Sequence, residues 1–348
     1  MARRIHLVGT TYTGSPDAVI AQSIKRFGDH LESVPEETSR PNWVIEMIEA
    51  RATNPYLRTV RRSRFSEPRA LRPILDPPRY MVRRGHTLTA TDLDLPYAAE
   101  AAISAPIIAE LAPRLRPQYG IPGPLNVAAF SWLRPLAYYD LEAKAAQEQV
   151  EAIHKLTGSR ALYQLEIPLE TVAVAKAPRS QQVRVARAMA RRACDFIAGT
   201  PSGSEWVIHL CVGNKNDEPL VNLSDTSPLV HLANALLEYW PADQILHGVH
   251  FPLGSSRNPV PTGLAYYTPL GDLALPRDVH LLAGFVRTDV RTAESCWDQW
   301  VDQHRQARDH IEAAADRGEL GMSTPCGWRR QPGAAHSTTQ LLLAMTGD

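Results

Sequence analysis

With 348 residues and 37 Lys and Arg balanced by 37 Asp and Glu, the chain is long enough to bury a large core and has no net charge to recruit a polyanion, so nucleic acid is not an expected partner. No segment reaches the roughly 20 consecutive apolar residues of a membrane span, and Met1-Ala2-Arg3-Arg4 before the short run Ile5 to Val8 is too brief for a signal peptide; a cytoplasmic protein with no membrane partner is expected. The four cysteines, Cys194, Cys211, Cys296 and Cys326, are too sparse for a disulfide scaffold and suit a reducing compartment.

Ile5 to Val8 predicts a first strand, which breaks into the loop Gly9 to Pro16, rich in small and hydroxylated residues, and Asp17 to Phe27 predicts a helix. From 28 to 94 the chain is rich in Pro and Arg and its periodicity is weak, apart from a short helix at Trp43 to Ala50 and a strand at Arg79 to Val82. The patch Pro35-Glu36-Glu37-Thr38, followed by Asn42-Trp43, is either solvated surface or the source of a carboxylate that reaches into a site. Pro96 to Leu111 predicts a helix with Pro106 as a kink point. The turn Ile121-Pro122-Gly123-Pro124 leads into a predicted strand, Leu125 to Ser131. Leu141 to Leu156 predicts a helix stopped by Gly158, Ala161 to Glu166 a strand ending on a carboxylate, and Ser180 to Ala198 a helix stopped by Gly199.

Trp206 to Cys211 reads as a short buried strand. Side chains two apart on a strand share a face, so His209 and Cys211 would lie side by side, as a zinc half-site or as ordinary core packing. Ser227-Pro228 opens a helix to about Tyr239. Gln244 to His250 predicts a strand ending in histidine, and Val279 to Val286 another ending near Arg287. Thr292 caps a predicted long helix to about Arg317, and Gly321 to Trp328 predicts a last strand through Cys326. Cys194 and Cys296 sit in amphipathic runs and read as core.

Strand then helix, repeated about eight times, predicts one (β/α)₈ TIM-type barrel domain over residues 1–348, with 28–94 as an irregular excursion over its mouth. No GxGxxG follows the first strand, which disfavours a dinucleotide fold. In such barrels the reactive residues come from the C-terminal ends of strands. His209, Cys211, His250 and Cys326, all zinc-ligand types, fall at three such ends and would converge at one mouth. His247, three residues before His250 and so on the opposite strand face, is the rival for the third ligand.

Ile208-His209-Leu210-Cys211, followed far downstream by Thr324-Pro325-Cys326-Gly327, resembles the zinc motifs of the catalytic barrel of cobalamin-independent methionine synthase, a superfamily shared with uroporphyrinogen decarboxylase. Weaker echoes run in order along the chain. Val8-Gly9 through Ser15-Pro16 is similar to the family's Gly-Ser substrate loop, and Gly123-Pro124-Leu125 to its Gly-Pro strand start. Gln164-Leu165-Glu166-Ile167-Pro168 is similar to its Gln-Ile-Asp-Glu-Pro segment, whose acids help bind the substrate amino group, and Ala283-Gly284-Phe285-Val286 to its Gly-Val-Val strand. The family's glutamate ligand is replaced by His250 or His247, the acidic pair is reduced to Glu166, and the large N-terminal duplicate domain is missing; an epoxyalkane:coenzyme M transferase is another thiol-alkylating member of the superfamily.

The resemblance implies an enzyme that binds zinc through His209, Cys211, His250 and Cys326 and transfers a methyl or other alkyl group to a small-molecule thiol held as a zinc thiolate. Glu166 is a candidate anchor for a substrate ammonium or a structural residue, and Arg287 a candidate for a substrate carboxylate or sulfonate or a surface ion pair. Tyr266 and Tyr267 would line the mouth or pack its wall. A metal-free decarboxylase-like barrel and a catalytically silent, zinc-stapled binding barrel remain as alternatives, and the alkyl donor, the acceptor thiol and the oligomeric state stay open.

Overall fold

The computed structural model describes residues 3–9, 11, 14–36, 43–61, 77–213, 219–254, 260–289, 296–328 and 332–347. Its strands in chain order are β1 (Ile5–His6), β2 (Ser33–Pro35), β3 (Leu57–Arg61), β4 (Arg79–Val82), β5 (Arg116–Pro122), β6 (Leu162–Glu166), β7 (Glu205–His209), β8 (Ile245–Pro252), β9 (His280–Gly284) and β10 (Gly321–Ser323). The helices are α1 (Pro16–Phe27), α2 (Trp43–Ala50), α3 (Tyr97–Leu111), α4 (Pro124–Ser131), α5 (Tyr139–Thr157), α6 (Pro168–Lys176), α7 (Gln182–Ala198), α8 (Ser227–Tyr239), α9 (Leu264–Tyr267), α10 (Trp297–Ala315) and α11 (Ala335–Thr346).

Eight of these strands form one parallel sheet in the order β1, β10, β9, β8, β7, β6, β5, β2. A parallel bridge between Ile5 and Leu31, just ahead of β2, brings the two ends of that sheet together. The result is a nearly closed (β/α)₈ TIM-type barrel, as the alternation of strands and helices predicts. Among the described residues no helix is long and apolar enough to cross a membrane.

Two of the expected barrel strands are corrected. Leu125 to Ser131 belongs to helix α4, and the strand is the preceding segment, β5. Pro124 at the first turn, with its fixed φ, starts a helix there, and a short apolar run carries no period that separates the two states. Arg79–Val82 is a strand, but it pairs antiparallel with β3 in a separate two-stranded sheet. The barrel position is taken instead by Ser33–Pro35, three residues ending in proline, too short to show alternation. Pro168–Lys176 is a further helix, begun by a proline, that the strand and helix pattern did not reveal. Thr292 lies outside the described residues.

Most of the buried aliphatic and aromatic side chains form one large cluster, from Ile5 through to Met345. Leu162, Val207 and Leu282 make a small separate apolar group, one from each of β6, β7 and β9. Around the barrel the buried strand positions include many polar residues: His6, Ser33, Gln118, Gln164, His209, His250 and Ser323. Many of them are hydrogen-bonded to one another or to backbone carbonyls. Ser33 donates to Gln118 Oε1 at 2.7 Å, Gln118 Nε2 donates to the Leu7 carbonyl at 2.8 Å, and His6 Nε2 donates to Gln164 Oε1 at 2.9 Å. Gln164 Nε2 donates to the Val8 carbonyl, and Ser323 Oγ donates to the His6 carbonyl at 2.8 Å.

A buried ion pair ties the segment after α2 to the helical shell. The Arg51 guanidinium meets both oxygens of Glu142 on α5, at 2.5 and 2.8 Å, and Trp132 Nε1, just past α4, donates to the same carboxylate at 2.6 Å. The two charged side chains are only 2% and 1% exposed, so removing one partner strands a charge in a low-dielectric setting. Arg51→Ala is expected to cost about 3–5 kcal/mol in urea unfolding, whereas the Arg51→Met, Glu142→Leu double variant recovers most of the loss. Equal losses in the single and double variants would show that the charges themselves are not the issue.

Candidate metal centre at the barrel mouth

Parallel register brings Glu166, His209 and His250 to one level, since Glu166 pairs with His209 across β6 and β7 and His209 pairs with His250 across β7 and β8. All three lie toward the C-terminal ends of their strands, the face on which barrels of this kind carry their chemistry. Strand β7 ends at His209, so Cys211 is no longer on the strand. It is held beside His209 by a tight turn in which the Cys211 N–H donates to the His209 carbonyl at 2.8 Å. The pair expected from strand alternation is therefore made by a turn instead.

The next turn aims a backbone donor at the sulfur. Gly213 N–H donates to Cys211 Sγ at 3.3 Å, and Gly213 sits at φ +80°, where a side chain is disfavoured and where its Cβ would fall 2.4 Å from Leu220. Cys326 lies three residues beyond β10, in a turn closed by Thr324 Oγ1 donating to the Cys326 carbonyl at 2.8 Å. The Cys211 and Cys326 thiols hydrogen-bond each other; that contact, with burial, pushes Cys211 well above the ordinary thiol range. One ligand atom from each of His209, Cys211 and Cys326 lies within 4.8 Å of the others.

His250 is not in that trio. Its Nε2 is 3.1 Å from the Thr324 carbonyl and 3.1 Å from Ser323 Oγ, and its Nδ1 is 2.7 Å from His209 Nδ1. A carbonyl can only accept, so His250 Nε2 carries the proton. Burial, with His209 and His6 nearby, holds His250 well below the usual histidine range, hence neutral, so its Nδ1 is an acceptor and the bridging proton belongs to His209 Nδ1. The neutral His209 tautomer that fits this contact has its lone pair on Nε2. That atom is buried and makes no hydrogen bond. Gly284 on β9 makes room for the relay: a Cβ there would fall 2.6 Å from two atoms of the His250 ring and 2.9 Å from the Thr324 carbonyl.

The donor set fits a thiophilic divalent metal, and zinc above all: one imidazole nitrogen with its lone pair exposed and two sulfurs that a cation would convert to thiolates. Without such a cation the arrangement has an unmet buried acceptor and two thiols too close for both to ionise.

Two carboxyls complete the mouth. Glu166 is pushed up to about 7, chiefly by burial, with His209 opposing and Cys326 adding to the shift; its Oε1 accepts from Gln164 Nε2 at 3.3 Å. Glu36, immediately after β2, has both oxygens on the Gly120 N–H at 2.9 and 3.0 Å, yet burial keeps its carboxyl well above the ordinary range. Sequence patterning left Glu36 open between surface and site. Only the discovery that Ser33–Pro35 is a barrel strand makes it a strand-end residue like Glu166. Glu37, Thr38 and Asn42 lie outside the described residues.

The remaining candidates lie apart from the trio. Arg287 donates to both oxygens of Asp289, at 2.9 and 2.8 Å. His247 meets Glu32 and Glu205 rather than His209. Tyr267 is fully buried with its hydroxyl on the Pro261 carbonyl at 2.6 Å, a wall residue. Cys194 is buried, with its thiol toward the Leu236 carbonyl.

No protein-family model and no curated protein matches the sequence. Solved structures do match, over the whole chain. A B12-independent methionine synthase from Shewanella sp. W3-18-1, in complex with selenomethionine, superposes with a TM-score of 0.60 at 13% identity, covering 99% of this chain and 97% of that one. The chain has the methionine synthase fold. A methyltransferase from Methanosarcina mazei gives a TM-score of 0.57 at 14% identity, covering 99% and 93% of the two chains. At these identities the likeness concerns the methionine-synthase-like barrel, and the chemistry has to be argued from the residues of the mouth.

The raised Glu166 carboxyl has a measurable consequence in metal-free protein. Its folded pKa lies above the unfolded value of 4.5, so the folded state holds the extra proton, and the stabilisation from that proton is complete below pH 4.5 and lost as pH rises through about 7. Glu166→Gln should flatten the fall in urea midpoint across that window. Identical pH slopes for the two chelated proteins would mean that the carboxyl is solvated.

Proposed function

We propose that this protein is a zinc-dependent enzyme that transfers a methyl or other alkyl group from a small donor to a small-molecule thiol. The observation that carries the reading is the convergence of a His209 ring nitrogen with the sulfurs of Cys211 and Cys326, on a ring whose Nε2 is buried and unpartnered. We assign His209, Cys211 and Cys326 as the zinc ligands. His250, expected from the sequence to be a ligand, becomes the residue that fixes the His209 tautomer, because both its ring nitrogens are committed elsewhere.

A three-ligand site favours catalysis over a structural staple, since closed structural zinc sites take four protein ligands and catalytic ones leave a position open. Zinc bound there supplies a Lewis acid beside which an acceptor thiol ionises near neutral pH. The protein's own groups do the rest. The Gly213 N–H steadies negative charge on Cys211, and the Thr324, His250, His209 relay holds the imidazole in one orientation. Glu166 and Glu36, both held toward their neutral forms by burial, would ionise on meeting a cationic substrate group and so bind it selectively. Aligned acceptor and donor then react by displacement: the sulfur to carbon bond forms as the carbon to leaving-group bond breaks, and the electron pair departs with the leaving group.

Arg287 is left out of the reaction, its charge being matched by Asp289. A decarboxylase acting on polycarboxylates is disfavoured because Glu166 and Glu36 offer such substrates no positive charge. The likeness to a methionine synthase and a methyltransferase supports the reaction class. We place the reaction in the cytoplasm, where two site cysteines stay reduced.

Cobalt-substituted protein should show a thiolate-to-metal charge-transfer band that is lost in His209→Ala, Cys211→Ser and Cys326→Ser. His250→Ala and Gly284→Ala should keep the band with affinity weakened by about 10- to 100-fold, the usual effect of losing an orienting partner. Zinc-edge absorption fine structure should gain a sulfur neighbour at about 2.3 Å when the right thiol is added. If homocysteine, coenzyme M, cysteine and glutathione add no sulfur and yield no alkylated product with any donor, the silent binding barrel replaces this reading.

A further inference from the structure

The opposite end of the barrel carries a second cluster of metal-ligand side chains, unrelated to the cysteines. A cavity of about 90 Å³ there is lined by Arg4, His6, Glu32, Leu162, His247 and His280, among others. His247 reaches it through an irregularity in the sheet. Trp206 pairs with Leu246 and Val207 with Gly248, so His247 has no partner on β7 and forms a bulge, which re-aims a side chain. The expectation that His247 and His250 take opposite strand faces is corrected accordingly: His250 meets the mouth cluster, and His247 lines the cavity at the other end.

Ligand atoms of Glu32, His247 and His280 all lie within 4.8 Å of one another. His247 Nε2 is 3.6 Å from Glu32 Oε1, and on the far side of the ring its Nδ1 is 3.6 Å from Glu205 Oε2. Glu205 is itself held by Arg116 Nη1 at 2.5 Å. A carboxylate behind one histidine nitrogen, with another ligand-type carboxylate at the other, is the arrangement that orients histidines at metal centres. Arg4 pairs with Glu32 Oε2, and Glu32 Oε1 faces His247. The rings of His247 and His280 lie 4.9 Å apart, tilted by 55°.

We propose that Glu32, His247 and His280 form a second divalent-metal site, with Glu205 as the positioning residue of His247. Two imidazoles and one carboxylate, with no sulfur, suit zinc, cobalt, nickel or copper, and the cavity has room for the waters that fill the remaining positions. The N-terminal face of these barrels serves stability, and the ligands are placed for that role. Glu32 follows Leu31, whose bridge to Ile5 joins the two ends of the sheet. A metal here would tie that junction to β8 and β9.

The site is tested by titrating chelated, full-length protein with cobalt(II) chloride. Two equivalents are expected, one accompanied by thiolate charge transfer and one showing only weak ligand-field bands. His247→Ala and His280→Ala should each lose the second equivalent and keep the thiolate band, while Cys211→Ser with Cys326→Ser should do the reverse and still melt at a higher temperature when zinc is added. Glu205→Gln should weaken the thiolate-free equivalent by about 10- to 100-fold without changing the count at saturation, which a merely structural carboxylate would not do. Wild-type protein that takes up only the thiolate-linked equivalent overturns the proposal, as does a second equivalent that survives in both histidine variants. Loss of the thiolate-linked equivalent alone bears on the reading of the mouth and leaves this site untouched.

Discussion

The arrangement at the mouth depends on one proton, the one between His209 Nδ1 and His250 Nδ1, 2.7 Å apart. Two imidazoles can share such a contact only if one donates and the other accepts, and the Thr324 carbonyl decides which by taking the Nε2 proton of His250. The decision is thus made on β10's side of the barrel and delivered to β7. Buried polar groups in a low-dielectric setting are costly unless every partner is present, so the relay is rigid for the same reason that it is informative. A histidine with its proton fixed on one nitrogen offers the other as a ligand without any rearrangement.

The surroundings of that nitrogen act on charge in a consistent direction. Both carboxyls at the strand ends are pushed toward neutrality by burial, and Cys211 is held as a thiol by its contact with Cys326 and by burial. An interior that suppresses three anions at once is one in which a cation is strongly welcome. On the proposed function the metal would answer the sulfurs and a positively charged substrate group the carboxyls, so that the two occupants fill separate needs at one end of the barrel.

Much of this was legible in the sequence because ligand-type residues fall where apolar runs end. His209, Cys211 and Cys326 are brought together as strand-end reasoning implies, even though turns rather than strands carry the two cysteines. The role of His250 was not legible, since it depends on a hydrogen-bond direction set by a carbonyl some 74 positions away. Nor was Glu36, because the strand before it is three residues long and pairs only through its parallel neighbour β5. His247 and His250 illustrate the limit of simple alternation: one unmatched residue in β8 breaks the two-residue period on which face assignment rests. Helix α4 was misread because a proline-led apolar octet has no period to distinguish it from a strand.

Strand order has a consequence for assembly. Strand β1 lies against β10, with Ile5 opposite Met322, so until the last strand arrives the first has only the Ile5 to Leu31 bridge beside it. Contacts so far apart in sequence close late, because the loop between them must be ordered first. Cys326 and the Thr324 carbonyl follow directly on β10. The mouth therefore gains its second sulfur and its tautomer-setting acceptor at the same step that completes the sheet, and an incompletely folded chain presents His209 and Cys211 without them. On the proposed function, capacity to hold a metal there would be a property of the finished barrel and not of the segment that carries His209 and Cys211.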